Sequence, residues 1–245
     1  MGKKWFSRLL LLVTAVCILL PAALLLVWSV TGRWPWPRLT PETYTLRTLR
    51  ELLFGSISLL QLLGSSVALA GATAVLSTAV ALLTARATEL YRFPGRSLAR
   101  FCGLLPLLIP GTVFAIGVHL VTALPYAIAI LTDVTAAVGA NLEEQAAVLG
   151  AGPLAAFRWA TLPRLVPGIL SSLSMAFTLS YSQYFSTLIV GGGRVRTLAM
   201  VLVPYIQSGD RPLASAYAAV FTGSALLVFA LFEWAIHRLE RRGEL

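Results

Sequence analysis

Charged side chains are scarce in this chain of 245 residues. Asp, Glu, Lys and Arg make up 12% of it, against about 25% in an average soluble domain. Hydrophobic residues make up 58%. This composition excludes an ordinary soluble domain, and it predicts an all-α protein that crosses a lipid bilayer several times.

Lysine is nearly absent, because the chain contains only Lys3 and Lys4. A nucleotide-binding P-loop needs a lysine after a glycine-rich turn, so this chain cannot hydrolyse ATP by that route. The two histidines, His119 and His237, lie far apart, and no His/Cys cluster has the spacing of metal ligands. No Gly-x-Ser-x-Gly elbow and no intramembrane carboxylate pair is present. We therefore expect no enzyme, no catalytic residues, no metal and no cofactor.

The chain also contains only two cysteines, Cys17 and Cys102. Both lie inside apolar runs, where a free cysteine is typically a small buried hydrophobe. A disulfide framework is therefore excluded.

The net charge of +9 would suggest a nucleic-acid partner in a soluble protein. Here the arginines cluster between apolar runs, which is typical of the cytoplasmic loops of membrane proteins. The pattern predicts no nucleic-acid binding and places both termini in the cytoplasm. It puts 12 of the 19 Lys and Arg inside, and this modest bias leaves the inverted orientation open.

Long uncharged runs predict the membrane spans. The 22-residue run after Arg8 is long enough to span, so we interpret it as a retained helix rather than a cleaved signal peptide. The predicted helices are 9–30 (first), 52–85 (second), 165–190 (fifth) and 213–236 (last).

Residues 101–132 are too few for two comfortable spans, which need about 20 residues each. The flanking segments are both basic, however, and both should lie inside. The chain must therefore cross twice or re-enter, with a turn at 115–121 around Gly117. This predicts six transmembrane helices, or five if the segment only re-enters, with a shortened third–fourth helix region.

The segment 141–164 is predicted to form two short helices at the membrane surface. Asn141 and Glu144 have the spacing of a capping box, and Gly150 suits a sharp turn. Pro153 suits the first position of the second helix. Leu162-Pro163 is predicted to end that helix. Its exposed apolar side chains predict a protein partner, although a helix that merely anchors the chain is the simpler alternative.

Polar side chains recur at helical spacing within the predicted fifth helix. They could line a solute path through the membrane. Small hydroxyl residues also pack helices in lipid and bond back to the helix backbone, so a purely structural role is equally open. The predicted path residues are Ser174, Thr178, Tyr181, Ser182 and Gln183.

One spacing pattern resembles a known family. The residues are Glu144-Gln145-Ala146, three residues, Gly150, nine residues, Ala160, Thr161 and Leu162-Pro163. This pattern resembles the EAA loop of ABC importer permeases, with Gln145 and Ala160 departing from the usual Ala and Ile. Leu105–Gly111 and His119–Tyr126 look like parts of the family's third and fourth helices, without the piece that usually joins them. The resemblance covers Thr48 to Glu233.

The resemblance implies the type I ABC importer permease fold as a single domain, 1–245. It also implies a multi-pass inner-membrane subunit that moves solute and couples to a separate ABC ATPase. An external solute-binding protein and a second permease subunit, either another copy or a different chain, complete the implied assembly. The implied coupling residues are Glu144, Gln145, Ala146, Gly150, Leu162 and Pro163.

The implied substrate rests on residues 182–213, which resemble the thiamine, ferric-iron and polyamine branch and look closest to a thiamine-like permease. A non-transporting membrane scaffold is the alternative, and the short 101–132 segment favours it. A proton-coupled secondary transporter is a less favoured alternative, since it would have to rely on His119 as its ionisable intramembrane group.

Overall fold

The computed structural model describes residues 2–34, 38, 40–55, 58–108, 119–191 and 194–241. Within them the chain is almost entirely helical. The helices are α1 Gly2–Ser29, α2 Arg47–Phe54, α3 Leu59–Leu90, α4 Arg96–Leu108, α5 His119–Val138, α6 Asn141–Val148, α7 Pro153–Ala156, a π-helix Phe157–Thr161, α8 Leu162–Tyr181, α9 Phe185–Gly191, α10 Leu198–Ser208 and α11 Arg211–Arg241. A short antiparallel hairpin joins β1 (Thr31–Arg33) to β2 (Thr43–Tyr44).

Five helices of the described part are long and apolar enough to cross a membrane. They lie in α1, α3, α5, the continuous helical stretch Pro153–Tyr181, and α11. The all-α, multi-pass fold class is therefore confirmed. Helix α4 is described from Arg96 to Leu108, and the residues that follow it, 109–118, lie outside the described part. The predicted turn around Gly117 lies outside the described residues, although His119 to Val121, its last residues, begin α5.

The second helix differs from its predicted bounds of 52–85. Helix α2 ends at Phe54, before Gly55. A Cβ added at Gly55 would lie 2.2 Å from the carbonyl oxygen of Glu51. Helix α3 then starts at Leu59 and continues past Ala85 to Leu90. It continues because its charged residues are paired: Arg86 binds Glu143, and Glu89 binds Arg96 and Arg100.

Two segments that lie between the predicted membrane spans contain secondary structure. The segment 31–51 contains the β-strands and the start of α2, and the segment 194–212 contains α10. Cys17 and Cys102 are exposed rather than buried, because their apolar helices turn many side chains outward, as helices facing lipid do.

By its contacts the chain divides into two compact units: Met1–Leu63 with Thr197–Ser224, and Gly64–Arg196 with Ala225–Leu245. Aromatic contacts organise the first unit. Trp28 stacks on Trp34 with ring centroids 4.9 Å apart, and Tyr205 stacks on Tyr217 at 5.3 Å. The expectation of a single permease domain stays a prediction.

The second unit is built on close helix packing. Its core contains Ala81 and Ala85 of α3 against Ala127 and Leu131 of α5. These small residues let the helix backbones approach closely, as in membrane helix bundles. Helices α5 and α8 also cross tightly, since a Cβ added at Gly168 would lie 2.8 Å from Val134. This core holds the segment 141–164 at one end of the bundle.

Candidate coupling loop and transmembrane path

Helix α6 begins the predicted coupling loop. Glu143 and Glu144 lie in its first turn, where the helix dipole favours negative charge. The predicted capping box is wrong. Gly139 (φ +67°) ends α5, and Ala140 is already in the right-handed helical region, so it takes the cap position without a side-chain hydrogen bond. Asn141 is therefore the first helical residue and cannot adopt the extended conformation that a capping side chain needs.

The turn after α6 depends on Gly150, as predicted. Gly150 has a φ of +86°. Its N–H donates to the Ala147 carbonyl, and the Ala151 N–H donates to the Ala146 carbonyl, both at 2.9 Å. These two bonds form a Schellman motif, which requires a left-handed residue at this position. Nothing lies within 4 Å of a Cβ added at Gly150, so the requirement for glycine comes from the backbone conformation.

The next helix starts at Pro153 as predicted, but it does not end at Leu162-Pro163. Helix α7, the π-helix and α8 form one helical stretch, Pro153–Tyr181. A proline inside an α-helix lacks an N–H, and its ring clashes with the carbonyl four residues earlier. The wider π turn, Phe157–Thr161, ends two residues before Pro163 and relieves that clash. The loop is therefore continuous with a membrane span.

A partly buried arginine ties the loop to α3. Arg86 Nη1 and Nη2 donate to the two carboxylate oxygens of Glu143, at 2.7 and 3.2 Å. Its guanidinium also lies 4.1 Å from the ring centroid of Phe157. We call Arg86, Glu143 and Phe157 the Arg86 latch. It joins three elements, α3, α6 and the π-helix, through a single side chain.

The Arg86 latch is shielded from water. The Arg86 and Glu143 side chains are 15% and 22% exposed. The hydrogen bond from Arg86 lowers the pKa of the Glu143 carboxyl below its usual value, against the opposing effect of burial. Glu143 is therefore an ion-paired carboxylate at neutral pH. The neighbouring Glu144, the acidic residue of the predicted motif, is exposed.

Four large apolar side chains of the loop are exposed. Val148, Leu149, Leu154 and Trp159 are 75–88% exposed. Of the predicted coupling residues, three are exposed and three are half-buried. The exposed ones are Glu144, Gln145 and Gly150, and the half-buried ones are Ala146, Leu162 and Pro163.

The predicted path residues do not share one face of α8. Ser174 and Tyr181 are buried, Gln183 is half-buried, and Thr178 and Ser182 are exposed. Two hydroxyls bond back to the helix: Thr178 donates to the Ser174 carbonyl and Ser182 to the Leu179 carbonyl, both at 2.9 Å. The exposed polar side of α8 is formed by Ser171, Thr178 and Ser182.

His119 lies in a polar cluster that the sequence does not reveal. Its Nδ1 lies 3.1 Å from Ser180 Oγ, and its Nε2 lies 2.9 Å from Thr187 Oγ1. Thr187 donates its own proton to the Gln183 carbonyl, so it accepts from Nε2–H, and Ser180 donates to Nδ1. His119 is thus a satisfied buried histidine that joins α5, α8 and α9. Its partners are 61 and 68 residues away, and no local pattern could have found them.

Known proteins with similar sequences are named as permease proteins of transport systems. The chain is 29% identical over 172 residues to the sulfate transport system permease protein CysT of Salmonella typhimurium, which covers 68% of this chain and 61% of the relative. It is 36% identical over 119 residues to a putative ABC transporter permease protein of Streptomyces antibioticus, covering 47% and 52%. It is 24% identical over 200 residues to the spermidine/putrescine transport system permease protein PotC of Haemophilus influenzae, covering 74% and 78%.

These relatives show that the chain is similar to ABC transporter permeases. No family model matches it, and it spans 61% and 52% of the length of the first two relatives. The similarity confirms the resemblance to this family and the assignment as a multi-pass membrane protein. Arg86 is not part of the spacing pattern in residues 141–164, because it lies in α3.

Proposed function

We propose that this permease is the transmembrane subunit of an ATP-driven importer. Its coupling loop, 141–164, docks on a separate ATPase subunit. A second permease subunit, either the same chain or a different one, completes the solute path, and an external binding protein delivers the solute. Both termini lie in the cytoplasm. The whole activity is a proposal, since the matches to the first relatives cover only part of their length.

The exposed apolar surface of the loop carries this proposal. Val148, Leu149, Leu154 and Trp159 are at least three-quarters exposed on a short loop beside the membrane. Several large apolar side chains this exposed on one short loop typically mark a protein interface. Glu144 is exposed beside them and is available for an arginine or lysine of the partner. Glu143 is not available, because Arg86 occupies both of its oxygens.

Two rigid connections would carry movement from the loop into the membrane. The first is the unbroken helical stretch Pro153–Tyr181. The second is the Arg86 latch, which fixes α6 to the end of α3. When ATPase subunits close, a loop held in this way transmits the displacement to two spans as a rigid body.

The docking proposal is tested by co-purification with the ATPase encoded beside the permease gene. We expect Gly150→Arg to lose the ATPase, because a non-glycine residue disfavours the left-handed turn and the long side chain enters the interface. Gly95→Arg is the matched control, since Gly95 also has a positive φ of +93° and open space around it, but lies between α3 and α4. Equal retention of the ATPase by wild type and Gly150→Arg would refute the docking role.

The proposed path uses the polar side of α8, with Ser174, Thr178, Tyr181, Ser182 and Gln183 contributed by this subunit. For the solute we propose a small organic cation of the polyamine class. The relative from Haemophilus influenzae is named for spermidine and putrescine, and residues 182–213 resemble the polyamine, thiamine and ferric-iron branch. Uptake of labelled putrescine, thiamine, ferric iron and sulfate by the assembled complex distinguishes these solutes.

A non-transporting scaffold is the second candidate. The feature that favours it is the short segment 101–132, which has too few residues for two comfortable spans of about 20 residues each. Binding of the ATPase without ATP-dependent uptake of any of the four solutes would favour the scaffold. Uptake driven by ATP would exclude it.

A further inference from the structure

An apolar groove lies within the first unit, apart from the coupling loop and the path. It is formed by the C-terminal part of α1, the end of α10 and the start of α11, and it has a volume of about 640 Å³. Such a volume falls in the range of small-molecule sites, roughly 300–1,000 Å³. The first unit alone lines it.

The groove has a charged mouth and an apolar interior. Trp28 and Arg211 lie at the mouth, where α1 ends and α11 begins. Pro21 and Ala218 lie at the other end, seven residues along each helix, which corresponds to about 10 Å. Both helices are long enough to cross a membrane. The groove therefore runs from the membrane surface into the hydrocarbon region.

The mouth is pre-organised to bind an anion. The Arg211 guanidinium lies over the Trp28 ring, 5.4 Å from its centroid, and Trp28 is itself stacked on Trp34. A guanidinium stacked by its face keeps its N–H edge free to donate to a phosphate. No ion pair to Arg211 occurs within the described residues, whereas Arg33 and Arg38 both pair with Glu42. The nearby Asp210 accepts the Leu213 N–H at the start of α11.

We propose that this groove binds one phospholipid of anionic class, with an acyl chain against α1 and α11 and the headgroup phosphate on Arg211. The chemistry of the two ends of the groove together identifies the molecule that it binds. An anionic headgroup, whose phosphate has no ammonium cation beside it, matches the unpaired guanidinium, and an acyl chain matches the apolar interior at the depth where acyl chains lie. The proposal does not depend on import.

The test uses the purified permease, delipidated in mild detergent and titrated with phosphatidylglycerol or phosphatidylcholine of identical acyl chains. Native mass spectrometry counts the retained lipids. We expect one phosphatidylglycerol to be retained at least about fivefold more tightly than phosphatidylcholine, the ratio that one interfacial arginine supplies. Arg211→Gln should abolish this preference, and Arg33→Gln, a paired arginine of the same unit, should leave it unchanged.

Two further measurements keep the proposal falsifiable if a variant folds poorly. In the unaltered permease, a phosphatidylglycerol with a photoactivatable acyl chain should label peptides of 21–28 and 211–218. Ala218→Leu, which narrows the interior, should weaken retention of both lipids. Equal retention of the two lipids by wild type, or labelling spread over all spans, would overturn the proposal. Lipid-independent dimerisation that Ala218→Leu abolishes would assign the groove to a second permease subunit instead.

Discussion

Arg86 makes two kinds of contact at once, a bidentate ion pair with Glu143 and a stacked contact with Phe157. We predict that Arg86→Gln lowers both stability and the solute transported per ATP. Loss of a hydrogen-bonded partner of a shielded charge costs about 1–3 kcal/mol. The effect of Arg86→Lys should lie between those of wild type and Arg86→Gln, because lysine keeps the charge but cannot form the planar, two-pronged contact of a guanidinium.

Thermal unfolding in detergent and coupled transport in liposomes check the prediction for Arg86. Arg164→Gln is the control, because Arg164 is exposed on α8. A positioning role also predicts partial rescue when Arg86→Glu is combined with Glu143→Arg. Wild-type coupling in Arg86→Gln would show that the latch does not transmit movement.

The ion pair of Glu143 predicts a pH dependence with a defined sign. Its pKa is lowered from 4.5 in the folded chain, so the pair stabilises the fold above that pH, and the stabilisation is lost as the pH falls through the folded value. We expect the difference in melting temperature between wild type and Glu143→Gln to be largest near pH 7 and to shrink towards about pH 4. A difference that stays constant over this range would contradict the ion pair.

At the scale of single helices, α8 predicts a pattern of accessibility. Ser171, Thr178 and Ser182 are exposed, whereas Ser172 and Ser180 are buried. We expect cysteines at the three exposed positions to react with a small water-soluble thiol reagent in the assembled transporter, and cysteines at the two buried positions to stay unreactive. The background is the chain with Cys17 and Cys102 replaced by alanine.

Solute should slow the reaction at residues 178 and 182 if this side of α8 lines the path. Cysteines that react at none of the exposed positions would place this side against lipid or against the second subunit. Reaction at residues 172 and 180 would mean that α8 is rotated relative to its neighbours.

The apolar runs predicted where spans exist but not where helices end. An uncharged run ends at Ala85, yet α3 continues because Arg86 and Glu89 find partners on α6 and α4. Pro163 was expected to end a helix, yet a π turn accommodates it. In both cases the outcome depends on tertiary contacts or a local backbone change that periodicity does not encode. Gly150 was predictable, because a left-handed turn leaves a signature within a few residues.

The same distinction holds for the candidate site. The loop residues Glu144 to Pro163 were predictable because their spacing is local and resembles a known pattern. The Arg86–Glu143 pair was not, since 57 residues separate its members. An arginine that follows an apolar run predicts only an inside location.

At the scale of the whole molecule, the side on which each terminus lies depends on how many times the chain crosses. Five described helices are long enough to span, and five crossings would put the termini on opposite sides. Both termini in the cytoplasm therefore require a sixth crossing between α3 and α5. The basic turn between α3 and α4 then lies inside, and the start of α5 at His119 lies outside.

Single cysteines in a cysteine-free chain test this topology. We expect a cysteine at position 120, near the start of α5, to react with a membrane-impermeant reagent added to intact cells, and a cysteine at position 95 to react only after the membrane is opened. Thr40→Cys, in the segment between β1 and β2, is the external control, since 30–58 must lie outside if α1 starts inside. Labelling of position 120 only after the membrane is opened would mean that the chain between α3 and α5 re-enters without crossing. The termini would then lie on opposite sides, because a chain that crosses five times cannot return to the side where it began.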